Sequence, residues 1–231
     1  MGHRIVIALL LVVLSGCSAS VAVPAEEAQE ASPECIDLPV ERRSGPVSLE
    51  EALNCRRSVR DYAGEPLMLE EVGQLLWAAQ GVTADWGGRT APSAGGLYPL
   101  TVYLVAGDVA ELESGVYRYV PDGHSLIPVR AGDVRAELSA AALRQTSVRT
   151  GAAVLAFCAV YERTTAKYGD RGVRYVHLEA GHAAQNVYLQ AAAMGLGVVA
   201  VGAFDDAEVR KVLDLDRDEE VLYLMPVGKL A

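Results

Sequence analysis

The chain has 231 residues, 51% of them hydrophobic, and carries 20 Lys and Arg against 30 Asp and Glu for a formal net charge of −10. That balance excludes a nucleic-acid surface, which needs clustered positive charge, and the apolar share is ample for a core. No CxxC or HExxH occurs, and His177 and His182 stand five residues apart, off the i, i+4 spacing of paired helical ligands, so no metal site is expected.

Residues 1–17 read as an export signal. Arg4 gives a small positive start, Ile5 to Leu14 an apolar core, and Leu14-Ser15-Gly16-Cys17 the form of a lipobox, in which a Cys after small residues takes a lipid and becomes the mature N-terminus. The expectation is a protein of the cell envelope, anchored on the periplasmic side of a membrane through Cys17 alone. An ordinary signal peptide beside a chance cysteine is the alternative. Residues 18–46 are Ala, Glu, Ser and Pro without a period and read as a flexible tether. By length, 47–231 is then one domain. Cys158 lies in an apolar run and reads as an inert core thiol. Cys35 and Cys55 could pair in an oxidising compartment, but spacing says nothing about Cβ geometry, so bonded and free states both stay open.

Ser48-Leu49-Glu50-Glu51 is a capping box that opens a helix with Leu49, Ala52 and Leu53 on its inner face. The helix runs into Arg56-Arg57-Ser58-Val59-Arg60. A second helix follows Pro66, with Val72, Leu75, Leu76 and Ala79 on one side and Gly81 as its stop. Thr90 to Pro99 is a proline-bracketed loop in which Gly95 and Gly96 are free to take positive φ. Thr101 to Ala106 is a strand, and Val116–Val120 and Ser125–Val129 form a hairpin across Pro121-Asp122-Gly123. Asp133 to Leu143 reads as helical and Ala153 to Val160 as a buried strand. A polar, basic segment, Glu162 to Arg171, leads into the longest helix.

In that helix Val176, Ala180, Ala183, Ala184, Val187, Ala191 and Met194 form a stripe buried along one side. About 20 residues make it roughly 30 Å long. His182, Gln185, Asn186 and Gln190 interrupt it too often for a membrane span. After Gly195-Leu196-Gly197 a β-branched run, Val198 to Val201, reads as a core strand. The order helix, glycines, strand is the reverse of a dinucleotide fingerprint. Asp205-x-x-Glu208 caps a short helix with Val209, Val212 and Leu213 inward, and Val221 to Val227 is a last core strand. Hairpin and helical connections mix, so the class is α+β, a sheet with helices on its faces.

Arg56, Arg57 and Arg60 with Ser58 make a fork for an anion, since guanidinium matches phosphate bidentately. Taken alone, a solvated basic turn that complements a helix C-terminus is the better reading. Gly95-Gly96 alone is a turn, and Lys167-Tyr168 alone a surface pair. Their order carries the signal. Arg-Arg-Ser-x-Arg, a Pro-Ser-Ala-Gly-Gly-x-Tyr-Pro loop, a Gln-Asn-bearing helix ending in Gly-Leu-Gly, Val-Gly-x-Phe-Asp, and Pro-Val-Gly together resemble the FMN-dependent nitroreductase family. Lys167-Tyr168-Gly169-x-Arg171 and Leu178-Glu179-x-Gly181-His182-x-x-Gln185-Asn186 resemble its SagB-type branch, the azoline (ThcOx-like) dehydrogenases. The resemblance spans roughly 47–229.

It implies a nitroreductase-like three-layer fold, a mixed central sheet with helices on both faces, and a long central helix at the interface of a homodimer that holds FMN. It implies that Arg56, Arg57, Ser58 and Arg60 contact the FMN phosphate, ribityl chain and pyrimidine edge. Pro92, Ser93, Ala94, Gly95 and Gly96 would reach FMN from the partner subunit. Gly202 and Ala203 would offer backbone donors near N5 and O4, and Gly228 and Lys229 would close over the phosphate. Lys167 and Tyr168 inherit a role on the protons of a small-molecule or heterocycle substrate. The competing class is a non-catalytic module that kept the fold and binds a ligand or an envelope partner. The intact Arg-Arg-Ser-x-Arg favours the enzyme; the export signal favours the module.

Overall fold

The computed structural model describes residues 1–2 and 35–231. The signal-peptide and lipobox readings, Cys17 included, lie outside the described residues, as does most of the tether. The chain divides into Met1–Ser32 and Pro33–Ala231, and the second unit carries every element below.

Seven strands form one sheet in the order β1-β4-β3-β2-β5-β7-β6: β1 Ile36–Asp37, β2 Leu100–Ala106, β3 Gly115–Val120, β4 Ser125–Ala131, β5 Ala153–Val160, β6 Leu196–Val198 and β7 Glu219–Lys229. The helices are α1 Leu49–Cys55, α2 Leu69–Gln80, α3 Arg135–Ala141, α4 Thr146–Thr150, α5 Glu162–Tyr168, α6 Arg171–Ala193 and α7 Asp206–Leu213. Every ladder is antiparallel. The sheet becomes mixed at its edge, where Ser58 bridges Val198 in parallel.

The two-residue period of a strand explains the layers. On β5, Leu155, Phe157 and Ala159 pack with Val72, Leu75 and Leu76 of α2 and with Val176, Ala183 and Val187 of α6. The alternate residues Val154, Ala156 and Cys158 pack with Leu138 of α3, Val148 of α4 and Val209 and Leu213 of α7. Both faces of β5 are therefore covered, which is why it reads as an unbroken apolar run. Full burial of each large side chain contributes roughly 1.5–3 kcal/mol. The result is three layers, helices on either side of the sheet, as the α+β reading expects.

Several boundaries differ from the sequence reading. Helix α6 starts at Arg171, ahead of the apolar stripe; its first turn is polar because it faces solvent, and Arg171 lies 5.8 Å from the centroid of the Tyr175 ring. The polar segment before it is itself helical, as α5. The strand expected at Val198–Val201 is Leu196–Val198, after which Val201 bridges Leu224 instead. On α1 only Ala52 is buried, while Leu49 and Leu53 are 60% and 52% exposed, so the face read as inner is covered only at Ala52.

The folded domain also begins earlier than residue 47. Strand β1 pairs with β4, Leu38 enters the core at 7% exposure, and the Arg42 N–H donates to Gln74 Oε1 at 2.7 Å. A two-residue edge strand has no period to read, so composition alone made this stretch look like tether. Cys35 and Cys55 are free, exposed thiols, and Cys158 is buried, which pushes its thiol pKa up. Among the described residues no helix is long and apolar enough to cross a membrane.

Candidate functional site

Helix α1 is opened by Ser48, whose Oγ accepts the Glu51 N–H at 3.1 Å, and it ends where the backbone turns extended at Arg56. The chain then lies along the sheet edge, with the Val59 N–H donating to Val198 O at 3.0 Å. Tyr188 of α6 stands behind this segment. Its hydroxyl accepts the Ala200 N–H at 2.7 Å and hydrogen-bonds Ser58 Oγ at 3.1 Å. The Arg56 guanidinium lies 5.2 Å above the Tyr188 ring, a cation–π contact that holds it over this edge.

The three arginines do different things. Arg57 Nη1 donates to Asn54 O and Arg56 O, both at 2.8 Å, so it caps the carbonyls at the end of α1. That is the bland reading of the cluster, and it holds for this residue. Arg56 and Arg60 form no ion pair with any carboxylate among the described residues. Next along the edge, Gly202 and Ala203 are exposed, and neither N–H has a hydrogen-bond acceptor among the described residues. The Ala203 carbonyl accepts from Gln145 Nε2 at 3.0 Å.

Gly228 and Lys229 have other partners than the sequence reading gave them. A Cβ on Gly228 would sit 2.9 Å from Cγ of Tyr62, so this glycine exists to let the Tyr62 ring close on β7. The Tyr62 hydroxyl in turn donates to Pro226 O at 2.9 Å and lies 3.1 Å from Val59 O, and burial raises its pKa. Lys229 Nζ pairs with Glu71 of α2, so its charge is already engaged. A cavity of about 240 Å³ lies beneath the segment, lined by Cys55, Arg57, Val59, Tyr188, Val198 and Leu230.

Further along α6, two motifs far apart in sequence meet. Ala94–Gly96 is one 3₁₀ turn with φ of 67° at Gly95 and 66° at Gly96, followed by φ of 46° at Tyr98. The Tyr98 N–H donates to Ser93 Oγ at 2.9 Å, and Asn186 Nδ2 donates to Thr90 O at 3.2 Å, which together fix the loop. The end of α5 lies against it. A Cβ on Gly95 would be 2.7 Å from the Tyr168 hydroxyl and 3.1 Å from Lys167 Nζ, so only glycine lets the pair approach. Tyr168 is oriented by an edge-to-face contact with Tyr175, centroids 5.2 Å apart. Pro92 is exposed and Ser93 and Ala94 are half-buried.

The loop's inner side meets Glu179 of α6, which is 2% exposed. Burial pushes its carboxyl pKa up to about 7, against the opposing influence of the Ser93 hydroxyl and of Arg89. Glu179 and Tyr188 are nine residues apart on α6, about 14 Å at the helical rise. Within one chain, then, the arginine segment and the Gly95 loop serve different ends of the long helix. An open groove of about 720 Å³ separates residues 42–49 from α2 and α6, lined by Leu49, Trp77, Asn186, Leu189, Gln190 and Met194.

Sequence reasoning missed Tyr188, Tyr62 and Glu179 as parts of the site. Glu179 lies within the motif noted on α6 and Tyr188 two residues beyond it, where an aromatic or a carboxylate in a helix carries no signal of its own. Tyr62 follows the arginine segment by two residues, and only the approach of β7 gives it a role.

The three-layer α+β fold is that of the nitroreductase-like proteins. The chain belongs to the nitroreductase family, whose profile matches residues 53–229. It is similar to MJ1384 of Methanocaldococcus jannaschii, provisionally named a nitroreductase, at 50% identity over 183 residues, 79% of this chain and 91% of that protein. It is 31% identical over 135 residues to the microcin B17-processing protein McbC of Escherichia coli, covering 56% of this chain and 49% of McbC. Among solved structures, a protein of Ralstonia eutropha, also provisionally called a nitroreductase, superposes with a TM-score of 0.74 at 32% identity, over 87% of this chain and 91% of its own.

Proposed function

We propose that this chain is an FMN-dependent oxidoreductase for a small-molecule or heterocycle substrate, active as a homodimer and tethered to the cell envelope by a lipid on Cys17. The observation that carries the reading is the edge built by Ser58, Val198 and Tyr188. The Arg56–Arg60 segment holds two guanidinium groups without carboxylate partners and a serine hydroxyl paired with Tyr188, and the segment after β6 adds two exposed backbone N–H groups without acceptors, all among the described residues. Such a donor set fits a phosphate and an electron-rich ring edge. FMN bound there would supply hydride and electron transfer.

The residues of the chain do the rest. Arg56 and Arg60 hold the anion and favour negative charge on the ring; Ser58 donates a hydrogen bond. Lys167 and Tyr168, converging on Gly95, hold or move a substrate proton. The 240 Å³ cavity is smaller than the ~300–1,000 Å³ usual for ligand sites. The exposed Leu49 and Leu53 and the adjoining groove leave an apolar face uncovered. Both features support a second copy as the missing wall, with its Pro92–Gly96 loop reaching the cofactor. The resemblance to the azoline dehydrogenase branch supports a heterocycle among the substrates, and the similarity to the microcin B17-processing protein McbC supports a place in that branch. The lipobox supports the envelope anchor, and Cys17→Ala should then release the protein from membranes.

The capture of Lys229 by Glu71 favours the second reading, a binding module without flavin. The visible spectrum of the purified protein, with FMN titration if it is colourless, decides between them. No binding at micromolar FMN rejects the enzyme. Bleaching of a yellow protein by NAD(P)H favours reduction of nitro or quinone-like compounds; bleaching only by an organic substrate favours a dehydrogenase.

A further inference from the structure

We infer that Tyr188 is a positioning residue: its single hydroxyl ties the Arg56–Arg60 segment to the Ala200–Ala203 segment, so that the two donor sets stand at a fixed spacing and meet one ligand. That this ligand is FMN rests on the reading above; the tie between the segments does not.

Helix α6 gives the hydroxyl its place. Val187 and Ala191, on either side of Tyr188 in the chain, are buried, and the Tyr188 ring packs against the same core cluster. The ring is carried by a helix that cannot shift without unpacking that core.

The amides that follow β6 show what the hydroxyl is for. Val199 N–H donates to Pro226 O at 3.4 Å and Val201 N–H to Leu224 O at 2.8 Å, so alternate amides face β7. The Ala200 N–H lies between them and points the other way, as the two-residue period requires. Its acceptor is the Tyr188 oxygen, at 2.7 Å. Gly202 and Ala203, whose exposed N–H groups form the second donor set, follow directly. On its other side the same oxygen bonds Ser58 Oγ at 3.1 Å, either hydroxyl being able to donate. The ring itself lies 5.2 Å below the Arg56 guanidinium.

Other contacts fix the middle of the arginine segment. Val59 N–H pairs with Val198 O, and the Tyr62 hydroxyl reaches Val59 O and Pro226 O. None of these touches Ser58 Oγ or the Ala200 N–H, and among the described residues Tyr188 is the one hydrogen-bond partner of each. One oxygen atom thus stands between a hydroxyl of the first donor set and the backbone that carries the second.

A tyrosine kept only to fill space would tolerate phenylalanine. Tyr188→Phe retains the ring, its packing and a π face under Arg56. It removes the hydroxyl alone, which leaves the half-buried Ala200 N–H without an acceptor and Ser58 without an anchor.

Hydrogen exchange of residues 56–62 and 198–204 in the flavin-free full chain, for wild type and Tyr188→Phe, tests the tie itself. The Ala200 amide should exchange about tenfold faster in the variant, while the Val59 and Val201 amides, held by backbone carbonyls, should change less than about threefold. An unchanged Ala200 overturns the inference. So does equal acceleration of all three amides, which would make Tyr188 a general stabiliser. FMN titration of wild type, Ser58→Ala, Tyr188→Phe and the double variant tests the consequence. Each single substitution should weaken binding about tenfold, and the double variant should bind within about threefold of either, because both break the same link. Multiplied losses, or full affinity in Tyr188→Phe, overturn the inference. A wild type that binds no FMN sinks the functional reading instead, and the exchange comparison still decides for or against the tie.

Discussion

The two ends of α6 carry two differently built sites. At the β6 end the arginine segment is held by backbone pairing to Val198 and by the Tyr188 and Tyr62 hydroxyls, whose partners are a serine hydroxyl and main-chain groups. Toward the Glu179 end the Thr90–Tyr98 loop is held by the Ser93 and Asn186 side chains and passes through three positive-φ residues, Gly95, Gly96 and Tyr98. The first is built on main-chain pairing and neutral hydroxyls. The second brings the Lys167–Tyr168 pair against a glycine turn. A cofactor that must stay put suits the former, and a group that must exchange protons with successive substrates suits the latter.

Substitutions at either end should separate the two. Lys167→Ala should reduce kcat, for whichever nitro, quinone or azoline compound the wild type turns over, on the order of 100-fold, with FMN affinity unchanged; equal loss of affinity would merge the two sites. Gly228→Ala forces a methyl group against the Tyr62 ring and should destabilise the fold by about 1–3 kcal/mol in urea unfolding. Arg60→Ala should weaken FMN binding at least tenfold, about 1.4 kcal/mol, while the oligomeric state persists. Arg57→Ala, which removes only a helix-end contact, should change stability by roughly 0.3–1 kcal/mol and FMN affinity less than Arg60→Ala does. If Arg57 matters more than Arg60 for flavin, the division of labour drawn from their hydrogen bonds is wrong.

Much of this was legible in the sequence because the core announces itself by period. The apolar run of β5, the hairpin at Pro121-Asp122-Gly123 and the stripe from Val176 to Ala191 each fold where the pattern puts them. The misreadings fall where partners are distant. Leu49 and Leu53 look inward by period and do share a helical face with Ala52, but the rest of the chain covers only the alanine and leaves both leucines exposed. Residues 35–46 look like linker because β1 gains its meaning only from β4. The motifs of the site were visible one by one, but that Gly95 abuts Lys167 and Tyr168 depends on how α5 folds back, which local sequence does not encode.

FMN titration of the purified chain, followed by visible absorption and by quenching of flavin fluorescence, bears most directly on the arginine cradle. A cradle formed by Arg56, Ser58 and Arg60 predicts saturable binding at micromolar FMN or tighter, lost at least tenfold in Arg60→Ala. Free-flavin spectra throughout, or identical curves for the two proteins, would contradict it.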